Sequence, residues 1–219
     1  MTNYTQWKSL VDLHEYSAIP DSVVLPESDD LTYFGGDTGN FDINSNEPRF
    51  NTEFSDLSVK SPTGTSTGIW SLSGLPNYPD VGDTHRVAMW IEDPSRDSVE
   101  VDFGNNLDSD RGDCYTVFMT EPNDTDSVRI RRFDSGSATD LVIESDVGLP
   151  SNEWVEVEIL HASNGDITAT FFDESGAEII SVSANDSTHI TDGSYDNTGV
   201  GLRRSSQSDG QAWDYWRII

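Results

Sequence analysis

Apolar residues recur at every second position over much of this chain, and that spacing constrains its fold more than any other feature. Val155, Val157 and Ile159 alternate with Glu156 and Glu158, which is the pattern of a β-strand with one buried and one polar face. The same spacing occurs at Val87–Ile91, Val99–Phe103, Tyr115–Met119, Val128–Ile130, Leu141–Ile143 and Val200–Leu202. Gly-, Asn-, Asp- and Pro-rich turns separate about twelve such segments, which favours an antiparallel sandwich or barrel over βαβ units.

The turns predict how neighbouring strands pair. Asn164-Gly165 is a strong hairpin signal, and Asp173–Gly176 predicts a second turn soon after it. The strands on either side should bury one face in a common core. The residues predicted to point inward are Val99, Val101, Val155, Val157, Ile159, Ile167 and Phe171.

Residues 1–30 differ from the remainder and predict a short N-terminal arm. Trp7, Leu10 and Val11 share a face at helical spacing, and Pro20 and Pro26 bracket an extended stretch after them. A helix this short is marginal in water unless its apolar stripe is buried. We therefore expect Trp7, Leu10 and Val11 to anchor the arm on a neighbouring chain, with residues 31–219 forming the sandwich domain.

The charge of the chain points to an environment of very high salt. Forty acidic residues face 12 basic ones, of which only Lys8 and Lys60 are lysines, so the formal net charge is −28. Such a charge strains the compact state in ordinary buffer, whereas at about 1 M salt the Debye length is only about 3 Å and the repulsion is screened. With 10% aromatic residues and ordered apolar alternation, the chain is not an acidic disordered segment. The lack of a basic stripe excludes duplex nucleic acid as a partner.

The N-terminus and the single cysteine bear on where the protein works. Met1–Lys8 lacks the basic and apolar regions of a signal peptide, and no apolar run approaches the length of a membrane span. We therefore expect no membrane insertion and a location inside the cell or in a virus particle assembled there. Cys114 lies in a strand pattern and predicts a small buried thiol.

Several segments together resemble the concanavalin A-like lectin/glucanase (laminin-G-like) domains, particularly those of halophilic archaea and their tailed viruses. The segments that carry the resemblance are Tyr33–Phe41, Glu153–Ile159, Asn164–Asp173, Gly199–Arg203 and Trp213–Ile218. The resemblance covers residues 31–219 and implies an all-β fold, an antiparallel jelly-roll β-sandwich that the N-terminal arm precedes. One fold carries many sites, so it implies little about function.

The glucanase branch of that family uses two carboxylates on one strand face in a Glu-x-Asp-x-x-Glu motif. Here Glu100 and Asp102 match the first two acids, but Asn105 stands where the third should be. Glycoside hydrolysis needs a residue that donates and recovers a proton, and an amide does neither. We therefore expect a non-enzymatic protein, with Glu100 and Asp102 on a solvent-exposed face.

The resemblance also implies a structural calcium ion that ties the first strand to the last. Asp214 matches the acid of the terminal strand, Asp37 lies in the turn Gly36–Gly39, and Asp29 or Asp30 comes just before that turn. Carboxylate oxygens are the ligands that Ca²⁺ prefers. Tyr215 replaces the second acid that the family often has at this point, and with 40 acidic residues in the chain ordinary surface carboxylates are the alternative.

Arginine is concentrated in two short segments. Arg129, Arg131 and Arg132 lie in one predicted strand, and Arg203 and Arg204 lie in another. If the two strands are neighbours, they form a positive patch suited to acidic sugars or to an acidic subunit surface. Ion pairing with the surplus carboxylates is the alternative.

Six tryptophans raise the question of sugar stacking. Trp154 begins a strand and is predicted to lie in the core, as buried aromatic residues generally do. The loop residues Tyr195, Asp196 and Asn197 are the candidate glycan-binding residues, with Tyr78 as another loop candidate.

Two functional hypotheses follow. The first is a structural protein of a tailed virus of halophilic archaea, as a capsid turret, decoration or tail-fibre subunit. It would form a three- or five-fold homo-oligomer, contact other virion proteins and present a lectin-like domain to host-surface glycans. The alternative is a cellular carbohydrate-binding protein or glycan hydrolase of a halophilic archaeon.

Overall fold

The computed structural model shows two antiparallel sheets packed face to face. It describes residues 34–36, 42–44, 58–60, 67–71, 81–91, 99–105, 112–119, 126–191, 199–204 and 212–219. Within these ranges nearly all residues lie in strands or in the turns that join them. One four-residue helix, α1 (Thr188–Thr191), follows the twelfth strand. No described helix is long and apolar enough to cross a membrane.

Each sheet contains seven described strands. In chain order the strands are β1 (Phe34–Gly36), β2 (Asp42–Asn44), β3 (Ser58–Lys60), β4 (Thr67–Ser71), β5 (Thr84–Ile91), β6 (Val99–Asn105), β7 (Cys114–Met119), β8 (Ser127–Asp134), β9 (Ser137–Ser145), β10 (Glu153–His161), β11 (Asp166–Phe172), β12 (Glu178–Asn185), β13 (Gly199–Arg204) and β14 (Ala212–Ile218). The first sheet has the order β12-β11-β10-β5-β14-β3-β2, and the second has the order β1-β4-β13-β6-β7-β8-β9. Sequence-distant strands are therefore neighbours in both sheets.

The core lies between the sheets and draws on both. Val155, Val157 and Ile159 of β10 pack in one cluster with Val99 and Val101 of β6. Ile167 and Phe171 belong to the same cluster, so all seven residues predicted to point inward do so, each no more than 1% exposed. The predicted antiparallel jelly-roll β-sandwich is confirmed.

The two predicted turns both form, and glycine explains their geometry. The Gly165 N–H donates to the Ala162 carbonyl at 2.9 Å, and the Ala162 N–H donates to the Asp166 carbonyl at 2.8 Å. Gly165 has φ +88°, a left-handed conformation that costs glycine little. The turn after β11 repeats this arrangement, with the Gly176 N–H donating to the Asp173 carbonyl at 2.8 Å. Each turn connects adjacent strands of the first sheet.

A β-bulge interrupts the last strand. Trp213 pairs with Met89 and Trp216 pairs with Val87, so the two residues between the tryptophans lie opposite Ala88 alone. An extra residue in one strand shifts its alternation by one position. Trp213 and Trp216 therefore both face the core, and both are fully buried.

One buried residue, Trp154, lies elsewhere than the sequence predicts. Trp154 is 2% exposed, but it packs against Trp90 on the outer side of the first sheet, because Val155 next to it faces the core. Cys114 is buried as predicted and stays outside the central apolar cluster. The arm at residues 1–30, with Trp7, Leu10 and Val11, lies outside the described residues, so its boundary with the sandwich stays a prediction.

Candidate functional site

The outer side of the first sheet carries a cluster of charged and aromatic residues. Alternation along β10 turns Glu156 and Glu158 outward, since Val157 between them faces the core. Arg86 of β5 is opposite Glu158 in the strand register and lies on the same side. We call the set Arg86, Trp90, Trp154, Glu156, Glu158 and Phe172 the Arg86 face.

Arg86 joins the two glutamates. Its Nε and Nη2 donate to Glu158 Oε2 at 2.8 and 2.6 Å, and its Nη1 donates to Glu156 Oε1 at 2.9 Å. Charge-assisted hydrogen bonds of this length fix the guanidinium plane and both carboxylates. The Arg86 side chain is 24% exposed and that of Glu158 is 31% exposed. The network therefore has a fixed geometry while remaining in reach of solvent.

Aromatic rings border the charged network. Trp90 meets Trp154 edge to face with ring centroids 5.5 Å apart, and Trp90 is partly exposed. The Arg86 guanidinium lies over the Phe172 ring at 5.7 Å. Such contacts add rigidity to the rings and to the arginine. Aromatic surface beside fixed hydrogen-bonding groups can hold the C–H face and the hydroxyl edge of a sugar at the same time.

Burial shapes the electrostatics of the Arg86 face. Removal from water raises the pKa of Glu156, and the positive charges of Arg86 and Arg217 oppose that rise. Both glutamates accept hydrogen bonds from Arg86, but Glu156 is the buried acceptor and Glu158 is the accessible one. Next to them, hydroxyl pairs link β11 to β12, with Thr170 to Ser181 at 3.0 Å and Thr168 to Ser183 at 3.1 Å.

The outer side of the second sheet has similar groups, and its two acids on β6 are buried. Glu100 is 8% exposed, Asp102 is 3% exposed, and the Thr116 hydroxyl donates to Asp102 Oδ1 at 2.5 Å. Burial raises the pKa of Asp102, an effect that the charge of Arg203 opposes. The expectation that Glu100 and Asp102 lie on a solvent-exposed face is therefore wrong. We call this set, with Phe118, Arg129, Arg131, Asp140 and Arg203, the Asp102 face.

The arginines of the Asp102 face do not form the predicted positive patch, which required their two strands to be neighbours. β6 and β7 lie between β13, which carries Arg203, and β8, which carries Arg129 and Arg131. Arg131 Nε bonds Asp140 at 2.6 Å, and Arg129 lies 3.6 Å from the other oxygen of that carboxylate. Both guanidinium groups also lie over the Phe118 ring. The contacts agree with the ion-pairing interpretation.

Most residues of the predicted calcium and glycan sites fall outside the described ranges. These are Asp30 and Asp37 for calcium, and Tyr195, Asp196 and Asn197 for glycan, together with Tyr78. Asp214 lies on β14 as predicted, within the bulge between Trp213 and Trp216. No group of three or more potential metal ligands occurs among the residues that were described. The calcium and loop glycan sites stay predictions.

The sequence did not predict the Arg86 face as a site. Its glutamates were visible as the polar alternates of β10, but such alternates are usually solvent-facing residues without a role. Arg86 is 70 and 72 residues away from Glu156 and Glu158, so the contact depends on strand order. The remaining signal was an arginine in a chain that has few basic residues.

Solved structures with the same fold include lectin-like domains. The exoplasmic/lumenal domain of VIP36, in a form bound to Ca²⁺ and Man3GlcNAc, is 11% identical over 91% of this chain and 87% of that one, with a TM-score of 0.58. The globular domain of Trypanosoma cruzi calreticulin is 10% identical over 90% of this chain and 87% of that one, with a TM-score of 0.59.

A module of a phage protein also shares the fold. The CBM2 module of the evolved Dit protein of Lactobacillus casei BL23 phage J-1 is 11% identical over 90% of this chain and 96% of that one, with a TM-score of 0.51. At these identities the likeness concerns the fold alone. No protein-family profile and no curated protein sequence matches the chain.

Proposed function

We propose that this chain is a non-enzymatic structural protein of a virus particle of halophilic archaea, and that its sandwich binds host-surface glycans through the Arg86 face. The observation that carries the glycan proposal is the partly exposed Arg86–Glu158 pair beside Trp90 and Phe172. Its charged groups are held in place before a ligand arrives, which lowers the entropic cost of binding. Sugar hydroxyls would bond the Glu158 carboxylate while a sugar ring packs on Trp90.

The halophilic and virion parts of the proposal have separate support. The net charge of −28 supports a high-salt environment. The phage Dit module, a component of a virus, resembles this chain in fold and is named as a CBM2 module. The predicted arm at residues 1–30, with the apolar stripe Trp7, Leu10 and Val11, would suit assembly with neighbouring chains in a particle.

Glycan binding is tested on an array of host and commercial glycans in about 3 M NaCl, where surface electrostatics is screened. We expect Trp90→Ala and Glu158→Gln each to weaken binding at least about tenfold, equivalent to about 1.4 kcal/mol. Arg131→Gln on the Asp102 face is the matched control and should bind like the natural chain. Equal binding by all four proteins, or none at millimolar glycan, would exclude this site.

A second candidate function is glycan hydrolysis, which uses two carboxylates, and Glu156 and Glu158 lie on one strand face. Both are bonded to the same guanidinium, so neither is free to act as a nucleophile without breaking that network. We therefore expect no new reducing ends when glycans are incubated with the protein. Release of sugars that Glu156→Gln abolishes would establish hydrolysis instead.

Particle location and assembly are tested directly. Immunogold labelling should decorate the surface of purified particles and leave uninfected cells unlabelled, whereas labelled uninfected cells would favour the cellular alternative. A chain without residues 1–26 should remain folded by circular dichroism but fail to join its oligomer or particle. Normal assembly of the shortened chain would overturn the anchoring role of Trp7, Leu10 and Val11.

A further inference from the structure

Three of the four histidines of this chain lie together between the sheets. His85 of β5, His161 of β10 and His189 of α1 are 1%, 2% and 2% exposed. They occupy the end of the sandwich where β5 begins, β10 ends and α1 follows β12. Because the sequence distances between them are large, only the packing of the sheets brings these imidazoles together.

Aromatic rings connect the three imidazoles. Phe103 contacts His85 and His161, with ring centroids 5.5 and 5.6 Å apart. Tyr115 contacts His161 and His189 at 4.9 and 5.4 Å. Strands β6 and β7 of the second sheet thus meet β5 and β10 of the first sheet through this histidine cluster. A substitution or charge at any of these imidazoles therefore alters the packing between the two sheets.

One hydrogen bond fixes the protonation of His85. Trp216 Nε1 donates to His85 Nδ1 at 2.9 Å, and an indole N–H can only donate. His85 Nδ1 must therefore be unprotonated for this bond to exist. Its ring also stacks on Trp216 at 5.6 Å. Protonation of that nitrogen would break the bond and leave a charge beside a buried indole.

The charged groups around the histidine cluster lie on its His189 side. Asp186, before α1, accepts hydrogen bonds from the Tyr115 hydroxyl at 2.9 Å, from the Thr188 N–H at 3.0 Å and from Arg132. Asp134 Oδ2 bonds Arg132 Nε at 2.9 Å, and its other oxygen is 3.4 Å from His189 Nε2. Arg132 bonds both carboxylates, and the charge of Asp186 opposes the effect of burial on the pKa of His161. The charge that acts on His85 is that of His161, which has the same sign when both rings are protonated.

We propose that the histidine cluster is an acid-sensitive latch, which holds the two sheets together while His85 and His161 are neutral and opens this end of the sandwich when they are protonated. The proposal goes beyond glycan binding, because it concerns how the fold responds to the medium. Opening would release α1 and the Asp186 contacts and would uncover Tyr115. At the opposite end Val99 pairs with Met119 in the apolar core, and no histidine lies there among the described residues.

The direction of the effect follows from proton linkage. Burial lowers the pKa of His85 from 6.5 to about 3 and that of His161 to about 4. In the unfolded or opened chain both return to about 6.5, so that state binds more protons at any pH between these values. The stability that depends on these two histidines being neutral is therefore present above about pH 6.5. It falls as the pH drops towards 4. Each histidine should lower the folding equilibrium constant about twentyfold between pH 7 and pH 5.

The test compares urea unfolding at pH 7 and pH 5 in constant high salt. His85→Asn keeps an acceptor for Trp216 near the position of Nδ1 but does not titrate, and His161→Gln removes the second titrating ring. We expect the natural chain to lose several hundredfold in its folding constant and each variant to lose about twentyfold less. His14→Gln, which changes the histidine outside the cluster, should behave like the natural chain. Equal pH dependence in the natural chain and both variants would overturn the latch.

Two further measurements on the natural chain keep the latch falsifiable if a variant fails to fold. Ring NMR signals of His85 and His161 should show neutral imidazoles at pH 5 in the folded protein. Hydrogen exchange at pH 5 should rise first in segments 84–87 and 158–167, ahead of segment 153–157 at the opposite end of β10. Titration of both rings near pH 6.5 without opening, or exchange that rises uniformly, would contradict the proposal.

Discussion

The two outer sides of the sandwich use the same chemistry, but they bury different parts of it. On the Arg86 face the central arginine and Glu158 are partly exposed, whereas Glu156 and Trp154 are buried. On the Asp102 face the central acids Glu100 and Asp102 are buried with Thr116, whereas Arg131 and Asp140 are partly exposed. A charged pair contributes little to stability at an exposed site, but the loss of one partner from a buried pair is costly. We therefore expect substitutions of the buried acids to affect stability most, and those of the partly exposed Arg86–Glu158 pair to affect the proposed glycan binding.

Both clusters balance their charges. Arg86 and Arg217 face Glu156 and Glu158 on one side, and Arg129, Arg131 and Arg203 face Glu100, Asp102 and Asp140 on the other. Two arginines and two glutamates on one side, and three arginines and three acids on the other, sum to no net charge among these named groups. The whole chain nevertheless carries −28. The acidic surplus is thus carried elsewhere on the chain. The sheet surfaces should respond to salt less than the chain as a whole.

The largest expected effect is the loss of the folded state when salt is withdrawn. Below about 0.5 M salt the Debye length grows and the uncompensated acids repel one another over a longer range. We expect the melting temperature to rise steeply between about 0.1 and 3 M NaCl. A melting temperature that stays constant over this range would contradict both the charge argument and the proposed halophilic origin.

The next effect compares an arginine that faces a buried acid with one that faces a partly exposed acid. Arg203→Met leaves Asp102 without its compensating charge and should cost about 3–5 kcal/mol in the free energy of unfolding. Arg131→Met removes a pair with Asp140, which is a third exposed, and should cost at most about 1 kcal/mol. Urea unfolding in constant high salt measures both. Similar losses for the two variants would mean that burial of the partner acid does not decide how much each arginine contributes to stability.

A smaller effect is expected at Gly68 of β4. A Cβ at this position would lie 2.9 Å from Arg203 Cζ, because the guanidinium rests on the glycine. Gly68→Ala should displace the arginine from Asp102 and cost about 1–2 kcal/mol. If the loss acts through Arg203, it should nearly vanish in an Arg203→Met background. Additive losses in this double-mutant cycle would assign the cost to the strand itself.

The smallest effect on stability is expected on the Arg86 face. Glu158→Gln keeps a hydrogen-bond acceptor for Arg86 and removes a charge that is 31% exposed, so the free energy of unfolding should change by less than about 1 kcal/mol. The same variant should lose glycan binding on the array. A large loss of stability without a loss of binding would reverse the roles assigned to the two sides.

The alternation of apolar residues predicted most of the fold. Val155, Val157 and Ile159 needed no tertiary information, since a strand in a sandwich buries every second residue. The turn at Gly165 was similarly local, because a left-handed residue is needed there and glycine adopts it. Strand order was not local, and the resemblance to a known fold supplied the architecture.

The candidate sites were mostly beyond such reasoning. Trp154 was assigned to the core because it is large and apolar, yet its register places it with Trp90 on the outer side. Glu100 and Asp102 were expected in solvent, although position in a strand gives only the side and not what covers it. His85 and His161 have no local pattern that marks them as partners. Their roles depend on which strands the fold brings together.

The bulge in the last strand has a consequence for insertions and deletions. A tryptophan pair separated by two residues cannot bury both rings from a regular strand, because its alternation has a period of two. The bulge absorbs the surplus residue opposite Ala88, so deleting Tyr215 would leave Trp213 and Trp216 facing the same side without it. Such a shortened chain should keep its core and its near-ultraviolet spectrum. We therefore expect the final strand to tolerate a change of length beside Asp214. The free energy of unfolding of the shortened chain would then measure what the extra residue contributes to stability while the core stays the same.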